Sequence, residues 1–256
     1  MTPIRSRTNR FFKELKRLAE SGRERRKRGR SLLDGVHLIA AYEAAYGPVE
    51  TLVVSESALA GGEIAVFVAA RNMTVLADSL LRDLGLVDTP SGLLAVVATP
   101  LATVAVDREK DAILLDAVQD PGNVGTILRT AAAAGIGQAL LGPGCAAAWS
   151  PKVLRAGQGA HFALAIHEEV DLAAFMADYR GTTAATCLDD AISLYQADWG
   201  GAVAWVFGAE GQGVRRELIA LATLKIRIPM PGAIESLNVG AAAAICLFEM
   251  VRRRAA

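Results

Sequence analysis

Cysteine is scarce in this chain: three in 256 residues, and Cys145, Cys187 and Cys246 form no Cys-x-x-Cys pair. That spacing argues against a disulfide framework or a zinc site, and reduced, buried thiols are expected. Histidine is equally sparse, and His37, His161 and His167 share no ligand spacing, so no metal is expected. Long unbroken apolar runs are lacking too. Thr89–Val106 and Ala131–Trp149 carry no charge. Pro90 and Pro100 break the first, however, and Gly135, Gly137, Gly142, Pro143 and Gly144 break the second, so neither reads as a membrane span. The basic N-terminus has no apolar stretch before Leu32, which predicts no secretory leader and a soluble, cytoplasmic protein. What remains is ample core: 52% of residues are hydrophobic, enough for one large or two moderate domains.

Net charge is also missing, since 27 basic residues balance 27 acidic ones, but the average hides a segregation. Residues 1–30 hold twelve basic side chains against Glu14, Glu20 and Glu24, a local balance of +9 that leaves −9 for the rest. Such an arm fits either a polyanionic partner, most commonly nucleic acid, or a solvated, partly disordered tail.

Periodicity predicts an amphipathic helix over Asn9–Glu20, with Phe11, Leu15 and Leu18 on one face, and a basic loop or frayed helix over Ser21–Arg30. Helices follow at Leu32–Ala45 and Ile64–Arg71, a turn at Ser57–Leu59, and strands at Val49–Val54, Thr74–Ala77 and Leu93–Ala98. This small α/β unit, residues 1–100, closes at Pro100, and 101–110 form a linker marked by Asp107-Arg108-Glu109-Lys110-Asp111. Residues 111–256 have the rhythm of an open parallel sheet. Strands are predicted at Ala112–Ala117, Gln138–Leu141, Phe162–Ile166, Thr182–Cys187, Ala202–Phe207 and Leu224–Ile228. Helices alternate with them at Asn123–Ala134, Ser150–Gly157, Leu172–Asp178, Val214–Ala222 and Leu237–Arg254.

Three polar segments punctuate that rhythm. Asn123-Val124-Gly125-Thr126-Ile127-Leu128-Arg129 opens a helix, and Arg129 can clamp a phosphate with two parallel hydrogen bonds or serve as an ordinary surface arginine. Gly208-Ala209-Glu210-Gly211-Gln212-Gly213 follows a buried strand, and its glycines allow close backbone approach to a ligand. The spacing is not that of a dinucleotide loop, and Glu210 would repel a phosphate. A carboxylate suits a sulfonium cation or a ribose hydroxyl better. Ile228-Pro229-Met230-Pro231-Gly232 leads to Glu235-Ser236-Leu237-Asn238-Val239-Gly240 and the last helix. Ser236 is the expected N-cap, accepting from the Val239 amide; free N–H groups there would attract a negatively charged or electron-rich ligand, and the long loop before the helix would let backbone groups wrap a flat ligand such as adenine. A plain capped terminal helix is the alternative reading.

In this order and spacing the three segments resemble the motifs of the SpoU/TrmH family of RNA ribose 2′-O-methyltransferases, over about residues 112–250. The resemblance implies an α/β protein: a C-terminal, trefoil-knotted parallel-sheet methyltransferase domain and a smaller N-terminal domain, related to ribosomal protein L30e, that binds RNA. Asp34-Gly35 stands where family members often carry Glu-Gly. Also implied are S-adenosylmethionine bound in a bent form, no metal, and a homodimer that completes the active site. The implied reaction is methyl transfer to a ribose 2′-hydroxyl of structured RNA, ribosomal in preference to transfer RNA. A non-catalytic RNA-binding or assembly protein of the same fold is the alternative. By motif, Gly208, Ile228 and Leu237 would hold the donor, and Asn123, Arg129, Glu210, Ser236 and Asn238 would form the catalytic cluster. The arginine is often assigned as base in this family. A guanidinium, with a pKa above about 12, normally stays protonated, so Arg129 is expected instead to hold the target phosphate and stabilise the developing oxyanion.

Overall fold

Short apolar runs closed by polar turns build a four-stranded sheet in the first hundred residues. The computed structural model describes residues 2–87, 89–100, 104–234 and 236–255; the first three linker residues and Glu235 of the third motif lie outside them. Helices α1 (Arg10–Glu20) and α2 (Gly22–Arg28) precede β1 (Arg30–Asp34), α3 (Val36–Tyr46) and β2 (Thr51–Ser55). A 3-10 turn at Ser57–Ala60 leads to α4 (Gly62–Val68), β3 (Met73–Leu76), α5 (Asp78–Asp83) and β4 (Leu93–Ala98). The sheet order is β1-β4-β2-β3, with only β2 and β3 parallel.

Two predictions fail here for identifiable reasons. Leu32–Ala45 does not run as one helix. Gly35, at φ 99, breaks it, and Leu32 and Leu33 pair with Val96 and Ala95 in the sheet. Sheet burial outweighs the helical pattern that leucines share with strands. Ser21–Arg28 is ordered: the Ser21 hydroxyl accepts from the Glu24 amide at 3.2 Å, and Gly29 ends the helix at φ 59. The predicted apolar face of α1 holds: Leu15 and Leu18 are buried and Phe11 packs half-buried against the same cluster, which Phe12 also joins. The short helix α5 and a two-residue strand at Ile192–Ser193 have no sequence pattern that predicts them.

The remaining elements are β5 (Ala112–Asp116), α6 (Pro121–Ala133), β6 (Gln138–Leu141), α7 (Pro151–Gly157), β7 (Ala165–His167), α8 (Leu172–Asp178) and β8 (Thr182–Thr186). They continue with β9 (Ile192–Ser193), β10 (Val203–Gly208), α9 (Arg216–Leu221), β11 (Leu224–Arg227) and α10 (Val239–Arg254). Phe162 falls in a 3-10 turn, Ala160–Phe162, so the predicted strand there shortens to β7. Seven parallel strands lie in the order β7-β6-β5-β10-β8-β11-β9. β5 and β10 are buried along their whole length, as central strands covered on both faces must be.

Packing divides the chain into two units: Met1–Pro100 with Trp149–Phe162, and Leu101–Ala148 with Ala163–Ala256. Sequence order puts α7 in the second half; packing puts it in the first unit. Leu154 is fully buried with Leu33, Ile39 and Tyr42. Arg155 forms an ion pair with the buried carboxylate of Asp34, which also accepts from the Ser91 amide at 3.1 Å and the Ser91 hydroxyl at 2.7 Å. Asp34 is thus engaged internally.

Candidate active site

Strand order in the larger sheet creates a crevice before any side chain is considered. From β5 the chain grows through β6 to β7 at one edge, then crosses to β8, and β10 inserts beside β5. Such a switch point leaves a cleft outside the carboxyl ends of the two strands. The first polar segment lies in the opening turns of α6, which follows β5, and the second forms the loop after β10, so both flank it.

Gly208 ends β10 opposite Asp116 of β5. A Cβ at 208 would fall 2.0 Å from the Gly213 carbonyl carbon and 2.1 Å from the Val214 nitrogen. The loop folds back over its own strand, Gly213 donating to the Ala209 carbonyl at 2.8 Å with φ +68. Beneath it, the buried Asp116 carboxylate accepts from the Arg215 amide at 2.8 Å and the Arg215 Nε at 2.7 Å. Sequence reading missed this pair; an aspartate closing an apolar strand was its one cue.

A chain of hydrogen bonds then joins all three segments. Glu210 accepts from Asn123 Nδ2 at 2.9 Å, and from the Asp120 and Gln119 amides at 3.4 and 3.5 Å. Asn123 Oδ1 accepts from Asn238 Nδ2 at 2.9 Å. Asn238 Oδ1 accepts from the Gly240 and Ala241 amides at 2.9 and 3.2 Å. An ionised carboxylate can only accept, so it sets which way each amide points. Burial pushes the Glu210 pKa up, but hydrogen bonds led by the one from Asn123 outweigh it and hold the carboxyl below its usual range. The start of α10 sits close to α6: a Cβ on Gly240 would lie 3.3 Å from Thr126 Cγ2. Asp120 caps α6 by accepting from the Asn123 amide at 2.8 Å.

The other predicted residues stand differently. Ser236 is not the cap. The helix begins at Val239, two residues later than predicted, which puts Asn238 in the capping position. Ser236 is exposed and its hydroxyl makes no hydrogen bond among the described residues. Two of the N–H groups expected to be free are satisfied by Asn238. Arg129 is exposed on α6, with no hydrogen bond or ion pair to another described residue. Six residues beyond Asn123, it points about 120° around the helix from it. Ile228 lies half-buried just past β11, and Leu237 is 42% exposed. Among the described residues no group of three or more His, Cys, Asp or Glu could hold a metal ion. Burial pushes the thiols of Cys145 and Cys246 up to about 11 and about 12, so neither is poised as a nucleophile.

Residues 111–248 match the SpoU rRNA Methylase family. The chain belongs to this family. Residues 9–95 match the MRM3-like substrate binding domain. The 23S rRNA (guanosine(2553)-2′-O)-methyltransferase RlmP of Bacillus subtilis (strain 168) is 30% identical over 253 residues, 98% of this chain and 99% of that protein. The crystal structure of an RNA 2′-O ribose methyltransferase has a TM-score of 0.84 and 28% identity, covering 100% of both chains. The SpoU methyltransferase AviRb from Streptomyces viridochromogenes, in complex with the cofactor AdoMet, has a TM-score of 0.83 at 25% identity, covering 97% of this chain and 99% of that one. The SpoU site here suits such a donor. It offers a glycine-rich loop, an ionised carboxylate and exposed apolar side chains at Ile234 and Leu237. That set fits a flat nucleoside carrying a sulfonium, not a pyrophosphate.

Proposed function

We propose that this protein transfers a methyl group from S-adenosylmethionine to a ribose 2′-hydroxyl of ribosomal RNA. The hydrogen-bonded chain Glu210–Asn123–Asn238 carries the reading, because it ties the three family motifs into one site at the switch point of the sheet. When bound, S-adenosylmethionine supplies an electrophilic methyl group on a sulfonium. Gly208, Ile228 and Leu237 hold it through backbone groups and apolar side chains. Asn123, Glu210 and Asn238 orient the ribose, and the exposed Ser236 hydroxyl hydrogen-bonds the substrate beside them. Arg129, uncommitted within the fold, takes the target phosphate in a bidentate grip and stabilises the negative charge that grows as the hydroxyl passes its proton to solvent water. It does not act as base.

The working unit in this reading is a homodimer with a knotted C-terminal domain, acting in the cytoplasm. Support for the dimer comes from apolar side chains left exposed in the second unit: Leu188 at 60%, Ile192 at 45%, Tyr195 at 56% and Phe248 at 49%. No helix among the described residues is long and apolar enough to cross a membrane. Methyl transfer from labelled donor to unmodified ribosomal and transfer RNA, read by nucleoside mass spectrometry, tests the function. A 2′-O-methylnucleoside in ribosomal RNA, lost in Asn238→Ala, is the expected result. Transfer to transfer RNA alone would move the substrate, and absence of donor binding would overturn the enzyme reading.

A further inference from the structure

The basic residues at the N-terminus fall into two sets once the fold is known. One set is engaged inside the first unit. Arg5 pairs with Glu56, Arg7 with Asp83, Arg30 with Glu50, and Arg28 with both Glu14 and Glu24. Lys16 donates to the Asp83 carbonyl at 2.7 Å and pairs with Glu20. The buried Arg25 donates to the Leu18 and Ala19 carbonyls at 2.7 and 3.1 Å. The other set is Arg10, Lys13 and Arg17 on α1, with Arg23, Arg26 and Lys27 on α2. All six are exposed, and none closes a hydrogen bond or ion pair with another described residue. Arg17 and Lys27 feel Glu24 only as a field, its carboxyl being held low first by the hydrogen bond from Arg28.

Spacing aligns them. Positions 10, 13 and 17 share one face of α1 over about 10 Å, at i, i+3 and i+7, and 23, 26 and 27 share one face of α2, at i, i+3 and i+4. The face is rigid, not a tail. Asn9 caps α1, Ser21 caps α2, and Phe12, Leu15 and Leu18 anchor α1 in the core. No large apolar side chain in residues 2–30 is exposed, which disfavours a membrane surface. No Asn, Gln or aromatic side chain there is exposed either, so the exposed groups are mainly cations, which suit phosphate oxygens. We propose that these six cations form a phosphate-binding face that grips the RNA substrate along its backbone. The proposal rests on the ribosomal RNA reading above.

Deleting the arm would not test this, because it removes Phe12, Leu15 and Leu18 from the core. The test uses the full chain and two triple variants, Arg10→Gln/Lys13→Gln/Arg17→Gln and Arg23→Gln/Arg26→Gln/Lys27→Gln. Binding to an unmodified 23S rRNA transcript is followed by fluorescence anisotropy from low to high potassium chloride, and donor binding by calorimetry. Six phosphate contacts give a slope of log affinity against log salt of about −4 on single strands and about −5 on duplex. Each triple variant should flatten it by about two while donor affinity stays unchanged. Wild-type binding with unaltered slopes in both variants would overturn the face and leave the enzyme reading intact. A wild type that binds donor but no RNA would overturn both. Binding to phosphatidylglycerol vesicles that the variants lose, with RNA binding unchanged, would overturn the proposal in favour of a lipid surface.

Discussion

Gly208 and Asn123 serve the site for opposite reasons, one by having no side chain and the other by having one that both donates and accepts. At Gly208 even a methyl group would overlap the backbone of Gly213 and Val214. Gly208→Ala should cost about 1–3 kcal/mol in stability, and donor affinity should fall further than that loss explains; calorimetry on the folded variant checks it. Glu210 sets a pH test. Its pKa is lower in the folded protein than the ordinary 4.5, so its contribution is complete above that value and lost as acid protonates it through its folded pKa. Glu210→Gln should therefore differ from wild type in urea stability near pH 7 and converge with it in acid. No limb of the rate profile on the alkaline side of neutrality should belong to this group.

At the scale of elements, one helix start decides two assignments. α10 begins at Val239, so Asn238 caps it and also reaches Asn123. Asn238→Ala should cost about 1 kcal/mol as a lost cap, or somewhat more with the Asn123 bond. Ser236→Ala should leave the melting temperature unchanged while lowering methyl transfer. A stability loss in Ser236→Ala would return the cap to that residue. Both residues precede an apolar helix, and one register difference of two residues separates the readings. Local pattern also mistook β1 for helix, because Leu32 and Leu33 suit either element until β4 supplies a partner.

At the scale of the molecule, the first unit is not a stretch of sequence. It is completed by α7, which arrives after β6 and brings Leu154 to a core formed around Ile39 and Tyr42. Leu154→Ala should destabilise by about 2–5 kcal/mol. A fragment of residues 1–100 should lack a cooperative thermal transition and bind a hydrophobic dye. Adding the peptide 149–162 should restore order, because it refills that core and supplies Arg155 to the buried Asp34. A fragment that melts cooperatively on its own would show that α7 is dispensable.

By itself the sequence determined the class of fold, the parallel rhythm of the second half and the three segments that build the site. Those signals are local: a buried strand is a continuous apolar run, and a loop that folds tightly needs glycine where Gly208 and Gly213 stand. Tertiary structure alone decided which polar groups meet. Asp116 with Arg215, Glu210 with Asn123, and Arg155 with Asp34 join positions about a hundred apart in the chain. It also divided the basic arm into cations that hold the fold and cations left for a partner. Charge is written in the sequence, but its neutralisation depends on distance, and distance is set only when the sheets and helices have packed.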